Sequence, residues 1–358
     1  MKLTQLETPA LVADEKTLIA NMDAMSSLLE GTSLKLRPHY KSNKCARIAA
    51  MQMERGAVGI TCAKLSEAED LCDSGIEDIL IANQIADPSK MLKAALLAGK
   101  CRLTVCVDSA SNARLLSKAA SAAGTTIHCY VEYDIGMRRC GVSTEEEFLK
   151  LAKLTDSLPG LDFSGIQAYA GHVSHMAGSA ERERETRANE AKLLSLKARL
   201  EEAGLSVGAI SGGSTGTAVL KASGGVYTEL QAGSYIFIDS TYGELESLPF
   251  RNSLYVLATV ISVRPGLAIL DAGVKAIGMD QELPVILGMD GERVNGRIAV
   301  NEEHLKLFEP SRELAEGETV MIIPGHCCST VNLYDRIYLF DGDRVSGRLE
   351  VSARGCSR

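Results

Sequence analysis

The sequence predicts an α/β fold, a (β/α)8 barrel followed by a C-terminal β-rich domain. Three observations carry that prediction. Between residues 34 and 238, short apolar runs alternate with segments of helical period. From about residue 245 the rhythm gives way to short β-branched runs separated by Gly, Asp and Asn. The chain has 358 residues, 46% of them hydrophobic, enough to bury a large barrel and an addition to it.

In order, Ala10-Leu11-Val12-Ala13 is a short apolar run, and Glu15 to Leu29 repeats Leu18, Ile19, Met22, Met25, Leu28 and Leu29 at helical spacing. Strands are then expected at 34–40, 57–62, 78–82, 102–107, 126–132, 164–169, 207–211 and 234–238. Helices are expected between them at 43–54, 65–73, 88–98, 110–123, 143–157 and 180–203, with Gly204 stopping the last. Eight strands so spaced imply a closed parallel barrel, with an open doubly wound sheet as the alternative. The later runs 255–261, 268–270, 284–287, 319–323 and 336–340 read as strands of the second domain. The expected domains are therefore 10–244 for the barrel and 245–358, with residues 1–9, for the β-rich domain.

The formal charge of −8 and the pI near 5.4 argue against a nucleic-acid partner, because nucleic-acid domains usually carry a basic excess. Ten cysteines lie scattered without framework spacing, some within apolar runs such as Val105-Cys106-Val107, and read as reduced, mostly buried thiols. The first residues lack an apolar leader core, and no run approaches the ~18 apolar residues of a membrane span. A cytoplasmic protein without membrane contacts is expected.

In a barrel the chemistry sits at the carboxyl ends of the strands. The first strand ends in Arg37-Pro38-His39-Tyr40-Lys41-Ser42-Asn43-Lys44, with four basic groups and no acid. Such a junction is either a plain surface feature or the place of a lysine that, desolvated among cations, acts as a Schiff-base nucleophile. The fifth strand delivers Glu132 to Gly141, which contains Arg139. The sixth delivers Gln167-Ala168-Tyr169-Ala170-Gly171-His172-Val173-Ser174-His175. After the seventh comes Ser211-Gly212-Gly213-Ser214-Thr215-Gly216-Thr217, and Ala232-Gly233-Ser234-Tyr235 accompanies the eighth. Small residues let backbone N–H groups approach a phosphate and hydroxyls add donors, at the usual phosphate site of this architecture. The P-loop and GxGxxG patterns are absent. A lysine across the mouth from these loops suggests pyridoxal phosphate, its aldehyde on Lys41 and its phosphate on loops seven and eight.

The β-rich domain adds Pro324-Gly325-His326-Cys327-Cys328-Ser329 after an apolar strand. If that strand continues, His326 and Cys328 point to one side. Imidazole and thiolate there can bind a borderline divalent ion such as zinc, or they can be a capping histidine beside a buried thiol. Two protein ligands would leave positions for water or substrate.

These segments resemble the D-threonine aldolase and D-serine dehydratase family of pyridoxal phosphate enzymes, which have an alanine racemase-like barrel of fold type III. The resemblance runs from Glu7-Thr8-Pro9 to the tail 352–358. Its most specific motifs are RPHYKSNK, MRRCGV, IQAYAG, SGGSTGT and YTELQAGSYIFID. It implies that Lys41 forms the Schiff base, that Arg139 faces the cofactor ring with Gln167 and Tyr169 beside it, and that Gly216, Thr217, Gly233 and Ser234 hold the phosphate. It also implies that His326 and Cys328 bind a catalytic divalent metal (Zn, Mn or Mg).

The implied substrate is a D-3-hydroxy amino acid, and the implied assembly a homodimer. Two reactions suit such a site: aldol cleavage to glycine and an aldehyde, or dehydration to ammonia and a keto acid. His175 matches a histidine of the aldolases near the substrate hydroxyl, whereas Cys328 matches the dehydratases, since the aldolases carry Asp there. The chain-long likeness favours the aldolase. A non-catalytic pyridoxal phosphate carrier would need Lys41 or the metal pair to be missing, and both are present.

Overall fold

The structure is a computed structural model, and it describes residues 1–245 and 248–358. The chain divides into two compact units: residues 26–41, 48–233 and 356–358 in one, and residues 1–25, 42–47 and 234–355 in the other.

The first unit is the barrel. Lys35–Leu36, Ile60–Cys62, Asp78–Gln84, Arg102–Val107, Ile127–Glu132, Leu161–Ala168, Ala209–Gly212 and Glu229–Leu230 form one parallel sheet. From Ile60–Cys62 onward each strand pairs with the next in sequence, and Glu229–Leu230 pairs with Lys35–Leu36. A parallel bridge between His39 and Thr61 joins the two remaining edges, supported by Thr61 N–H donating to the Pro38 carbonyl at 2.9 Å. The sheet is thus closed.

The helices start and stop where local chemistry satisfies their ends. Asp87 accepts from Ser89 N–H at 2.8 Å ahead of Pro88–Leu97, whose first position is the proline. Thr144 and Glu147 form a capping box at Glu145–Ser157, and Gly124 ends Ala110–Ala123 in the left-handed conformation.

Apolar strand residues fill the barrel, among them the buried group Leu80, Cys106, Tyr130 and Ala209. At the amino ends of the strands the buried Arg37 pairs with Asp78 and Glu229, both at 2.7 Å. Burial opposes the guanidinium charge, but Glu229 and then Asp78 outweigh it and hold Arg37 above its ordinary value.

One expected strand moves. The apolar run at 234–238 is not a strand: Ser234–Ile236 is a 3-10 turn, and the eighth barrel strand is the two-residue Glu229–Leu230. Phe237 N–H and Ile238 N–H both donate back to the Ser234 carbonyl, so the backbone is already coiled there.

The second unit is a nine-stranded sheet. Leu254–Arg264 is its longest strand, pairing antiparallel with Leu267–Leu270, Thr319–Ile323 and Ala10–Asp14. Ala10–Asp14 also runs parallel to Arg336–Asp341, so it lies inside this sheet. That pairing corrects the expected boundary at residue 10. Ala10 and Val12 are buried with Leu3, Leu257 and Phe340, an apolar contact that fixes the amino-terminal segment in the β-rich unit. Residues 234–245 also cluster with this unit rather than with the barrel. Among the described residues no helix is long and apolar enough to cross a membrane.

Candidate active site

Lys41 stands in the turn after the first barrel strand and is exposed. The turn is anchored by Tyr40, which is buried and donates its phenol to Asp70 at 2.5 Å, while Lys41 N–H donates to His39 Nδ1 at 3.3 Å. The Lys41 Nζ lies 5.9 Å from the centroid of the Tyr169 ring, and the Arg139 guanidinium carbon lies 5.4 Å from the same centroid. Lys41, Arg139 and Tyr169, expected from three different strand ends, are therefore brought together.

The loop carrying Arg139 is shaped by its neighbours. The Asp134 carboxylate accepts from Gly136 and Arg138 N–H at 2.9 and 3.0 Å, and Gly141 N–H donates to Asp108 at 3.2 Å. The Asp134 carboxyl stays below its ordinary range because these backbone bonds and the Arg138 charge overcome the opposing effect of burial.

Gln167 is buried near the carboxyl end of Leu161–Ala168, where its amide exchanges hydrogen bonds with Gln231, which also donates to Ser211 Oγ at 2.9 Å. Beside this pair Gln84 donates to the buried Glu132, whose carboxyl burial pushes up against the pull of Gln84 and Arg139. Gln84 and Gln231 were not expected from the sequence; Gln231 lies within the YTELQAGSYIFID motif, which was the available signal.

The glycine-rich loop closes on itself: Ser214 N–H donates to Thr217 Oγ1 at 3.1 Å, and the two hydroxyls lie 3.2 Å apart. A Cβ on Gly212 would fall 2.0 Å from the Ala168 carbonyl oxygen, so no side chain fits there. Gly213 takes φ +77°, where a Cβ would be strained as well. Thr215 and Gly216 are buried, and Thr215 Oγ1 has no hydrogen-bond partner within the protein. Gly233 is buried too. His175 follows the short helix Gly171–Ser174 and is exposed.

In the β-rich unit, Ser234 Oγ lies 3.7 Å from Cys328 Sγ, and Tyr235 is buried with its ring 5.5 Å from that of Phe250. The expected strand continuation through 326–328 does not occur. Thr319–Ile323 ends, Pro324-Gly325 intervenes, and Cys327–Val331 is a helix with His326 as its N-cap residue. The Asp239 carboxylate starts that helix by accepting from Cys327 N–H at 2.8 Å.

His326 and Cys328 still meet, through a one-turn geometry rather than alternation. Burial opposes the charged imidazole, but the hydrogen bond and charge of Cys328, and then those of Asp280, outweigh it and raise His326 to about 9. Cys328 Sγ lies 3.3 Å from Ser42 Oγ, and His326 Nδ1 lies 2.7 Å from Asp280 Oδ2. Among the described residues no group of three or more His, Cys, Asp or Glu is placed to hold a metal, so the nitrogen and sulfur donors remain a pair.

Residues 13–241 match the alanine racemase N-terminal domain family, and residues 253–340 match a putative serine dehydratase domain. The chain belongs to the alanine racemase-like family. Within this family, a D-threonine aldolase from Arthrobacter sp. is 40% identical over 99% of this chain and 95% of its own length. A D-threo-3-hydroxyaspartate dehydratase from Delftia sp. is 30% identical over 92% of both chains. The crystal structure of D-threonine aldolase from Filomicrobium marinum superposes with a TM-score of 0.95 at 34% identity, covering 100% of this chain and 98% of that one. These relatives are aldolases and dehydratases, both lyases, and the Arthrobacter aldolase is nearer in sequence to this chain than the Delftia dehydratase.

Proposed function

We propose that the protein is a pyridoxal phosphate- and divalent-metal-dependent aldolase that cleaves D-3-hydroxy amino acids of the D-threonine type to glycine and an aldehyde. The observation that carries this reading is the meeting of Lys41 and Arg139 at the Tyr169 ring, in a chain 40% identical to a D-threonine aldolase.

The residues suit both groups. The unpartnered Thr215 hydroxyl and the side-chain-free Gly212 and Gly213 fit an acceptor-rich phosphate, with Ser214, Gly216 and Thr217 in the same loop and Gly233, Ser234 and Tyr235 after the eighth strand. Lys41 would hold the aldehyde, and Arg139 would face the ring with Gln167 and Tyr169 beside it. Of the divalent ions Zn, Mn and Mg, the nitrogen and sulfur that His326 and Cys328 offer suit Zn best.

When bound, the cofactor withdraws electrons from Cα, and the cation polarises the β-hydroxyl. His175 accepts the hydroxyl proton. The O–H electron pair becomes the aldehyde carbonyl, the Cα–Cβ pair stays on Cα, and a proton returned to Cα completes glycine. Tyr169 holds Arg139 and Lys41 at one ring by cation–π attraction.

The ten free thiols support a reducing, cytoplasmic location, and the same reading includes a homodimer, to be tested by light scattering. One observation favours a second reaction: Cys328 gives the proposed metal a thiol, as the resemblance implies for the dehydratases.

The deciding experiment incubates the protein with pyridoxal phosphate, Mn²⁺ and D-threonine, D-serine or D-3-hydroxyaspartate. Glycine with aldehyde supports the aldolase. Ammonia with keto acid and no glycine replaces it with the dehydratase.

A further inference from the structure

Asp280 takes part in no step of the proposed reaction. It lies in the stretch 271–284, between the strands Leu267–Leu270 and Val285–Gly288, and it shares its two carboxylate oxygens between two residues of the His326 turn. The Oδ2 atom lies 2.7 Å from His326 Nδ1, and Oδ1 accepts from Ser329 Oγ at 2.5 Å.

The same stretch also grips the His326 backbone. Thr330 Oγ1 donates to the His326 carbonyl at 2.7 Å and accepts from Gly278 N–H at 3.0 Å. A Cβ on Gly278 would fall 2.0 Å from Ser329 Oγ, so the two segments approach too closely for any side chain at that position. Ring, carbonyl and carboxylate are therefore fixed to one another.

We propose that Asp280 is a positioning residue for His326. It holds the imidazole in the tautomer with the proton on Nδ1 and so presents the Nε2 lone pair to a divalent cation. The inference rests on the proposed metal site. A neutral imidazole has one N–H and one lone pair, and an ionised carboxylate only accepts, so the nitrogen facing Asp280 must carry the hydrogen. The bond from Ser329 matters because the Asp280 side chain is 53% exposed and would otherwise rotate away. Without Asp280 both tautomers and several ring orientations become accessible, and those with N–H toward the cation cannot bind it. Partners of this kind typically change metal affinity by about 10- to 100-fold.

The test uses Co²⁺ as probe on the full chain with pyridoxal phosphate, following the d–d and thiolate charge-transfer bands. Wild type is expected to bind Co²⁺, and His326→Ala to lose it. Asp280→Ala is expected to weaken binding by about 10- to 100-fold while the pyridoxal absorbance and melting temperature stay near wild type. Asp280→Asn, which retains an acceptor oxygen, should weaken binding less and serves as the second variant where alanine impairs folding. In ¹⁵N spectra of the metal-free protein recorded well above pH 9, where the ring is neutral, His326 should be the Nδ1–H tautomer in wild type and a mixture in Asp280→Ala.

Asp280→Ala binding Co²⁺ as tightly as wild type, with His326→Ala unable to bind, overturns the positioning role alone. So does complete loss in Asp280→Ala, which would make the carboxylate a ligand. A wild-type protein that takes up no Co²⁺ overturns the metal reading and this inference with it.

Discussion

The Tyr169 ring faces two cations at once, with Lys41 Nζ 5.9 Å and the Arg139 guanidinium carbon 5.4 Å from its centroid. Each contact contributes about 0.5–1 kcal/mol at an exposed site. Tyr169→Ala is expected to weaken pyridoxal phosphate binding several-fold, and Tyr169→Phe, which keeps the ring, to retain most of it. Titration of the apoprotein with the cofactor measures both. Equal loss in the two variants would assign the effect to the phenol instead.

Lys41 is expected to carry the cofactor. Borohydride reduction followed by peptide mapping should place the pyridoxyl group on Lys41, and Lys41→Ala should abolish the visible absorbance. A pyridoxyl group on Lys44, three residues away and bonded to the Ala353 carbonyl at 3.4 Å, would contradict the assignment.

Chelation should remove activity and leave the fold intact, because two protein donors cannot organise a unit whose nine-stranded sheet is built without them. Activity, absorbance and melting temperature after EDTA treatment separate the two outcomes. Loss of the fold on chelation would show that the metal is structural.

His175→Ala is expected to cut glycine and aldehyde formation by ~10²–10⁴-fold, the usual contribution of a general base, while cofactor and metal binding survive. Cys328→Asp should keep or raise aldol cleavage with Mn²⁺ or Mg²⁺, since a carboxylate suits those ions. A silent His175→Ala, together with ammonia released from D-serine, would favour dehydration.

Arg37→Ala should destabilise the barrel by roughly 3 kcal/mol, because it leaves the buried Glu229 and the partly buried Asp78 without their cation. Denaturant unfolding at neutral pH reads this directly. A change under about 0.5 kcal/mol would mean that the carboxylates relax into water.

Much of the barrel was legible because parallel strands buried on both faces are apolar runs bounded by helical periods, as at Asp78–Gln84 and Arg102–Val107. The eighth strand was not, since two residues, Glu229 and Leu230, show no period, whereas the longer apolar run beginning at Tyr235 imitates one. The convergence of Lys41, Arg139 and Tyr169 could be read because the barrel dictates where strand ends emerge. The pairing of His326 with Cys328 was expected from strand alternation and arises instead from a helix turn begun by Asp239. Asp280 left no trace, because its partner is 46 residues further along and the intervening residues carry no spacing rule.

The placement of Ala10–Asp14 between Leu254–Arg264 and Arg336–Asp341 has a consequence for synthesis on the ribosome. Ala10–Asp14 emerges before every barrel strand, whereas both of its neighbours emerge after all of them. During that interval an apolar strand with two open edges is exposed, the kind of segment that pairs with other chains. Nascent chains halted after the barrel should therefore need a chaperone more than the finished protein does.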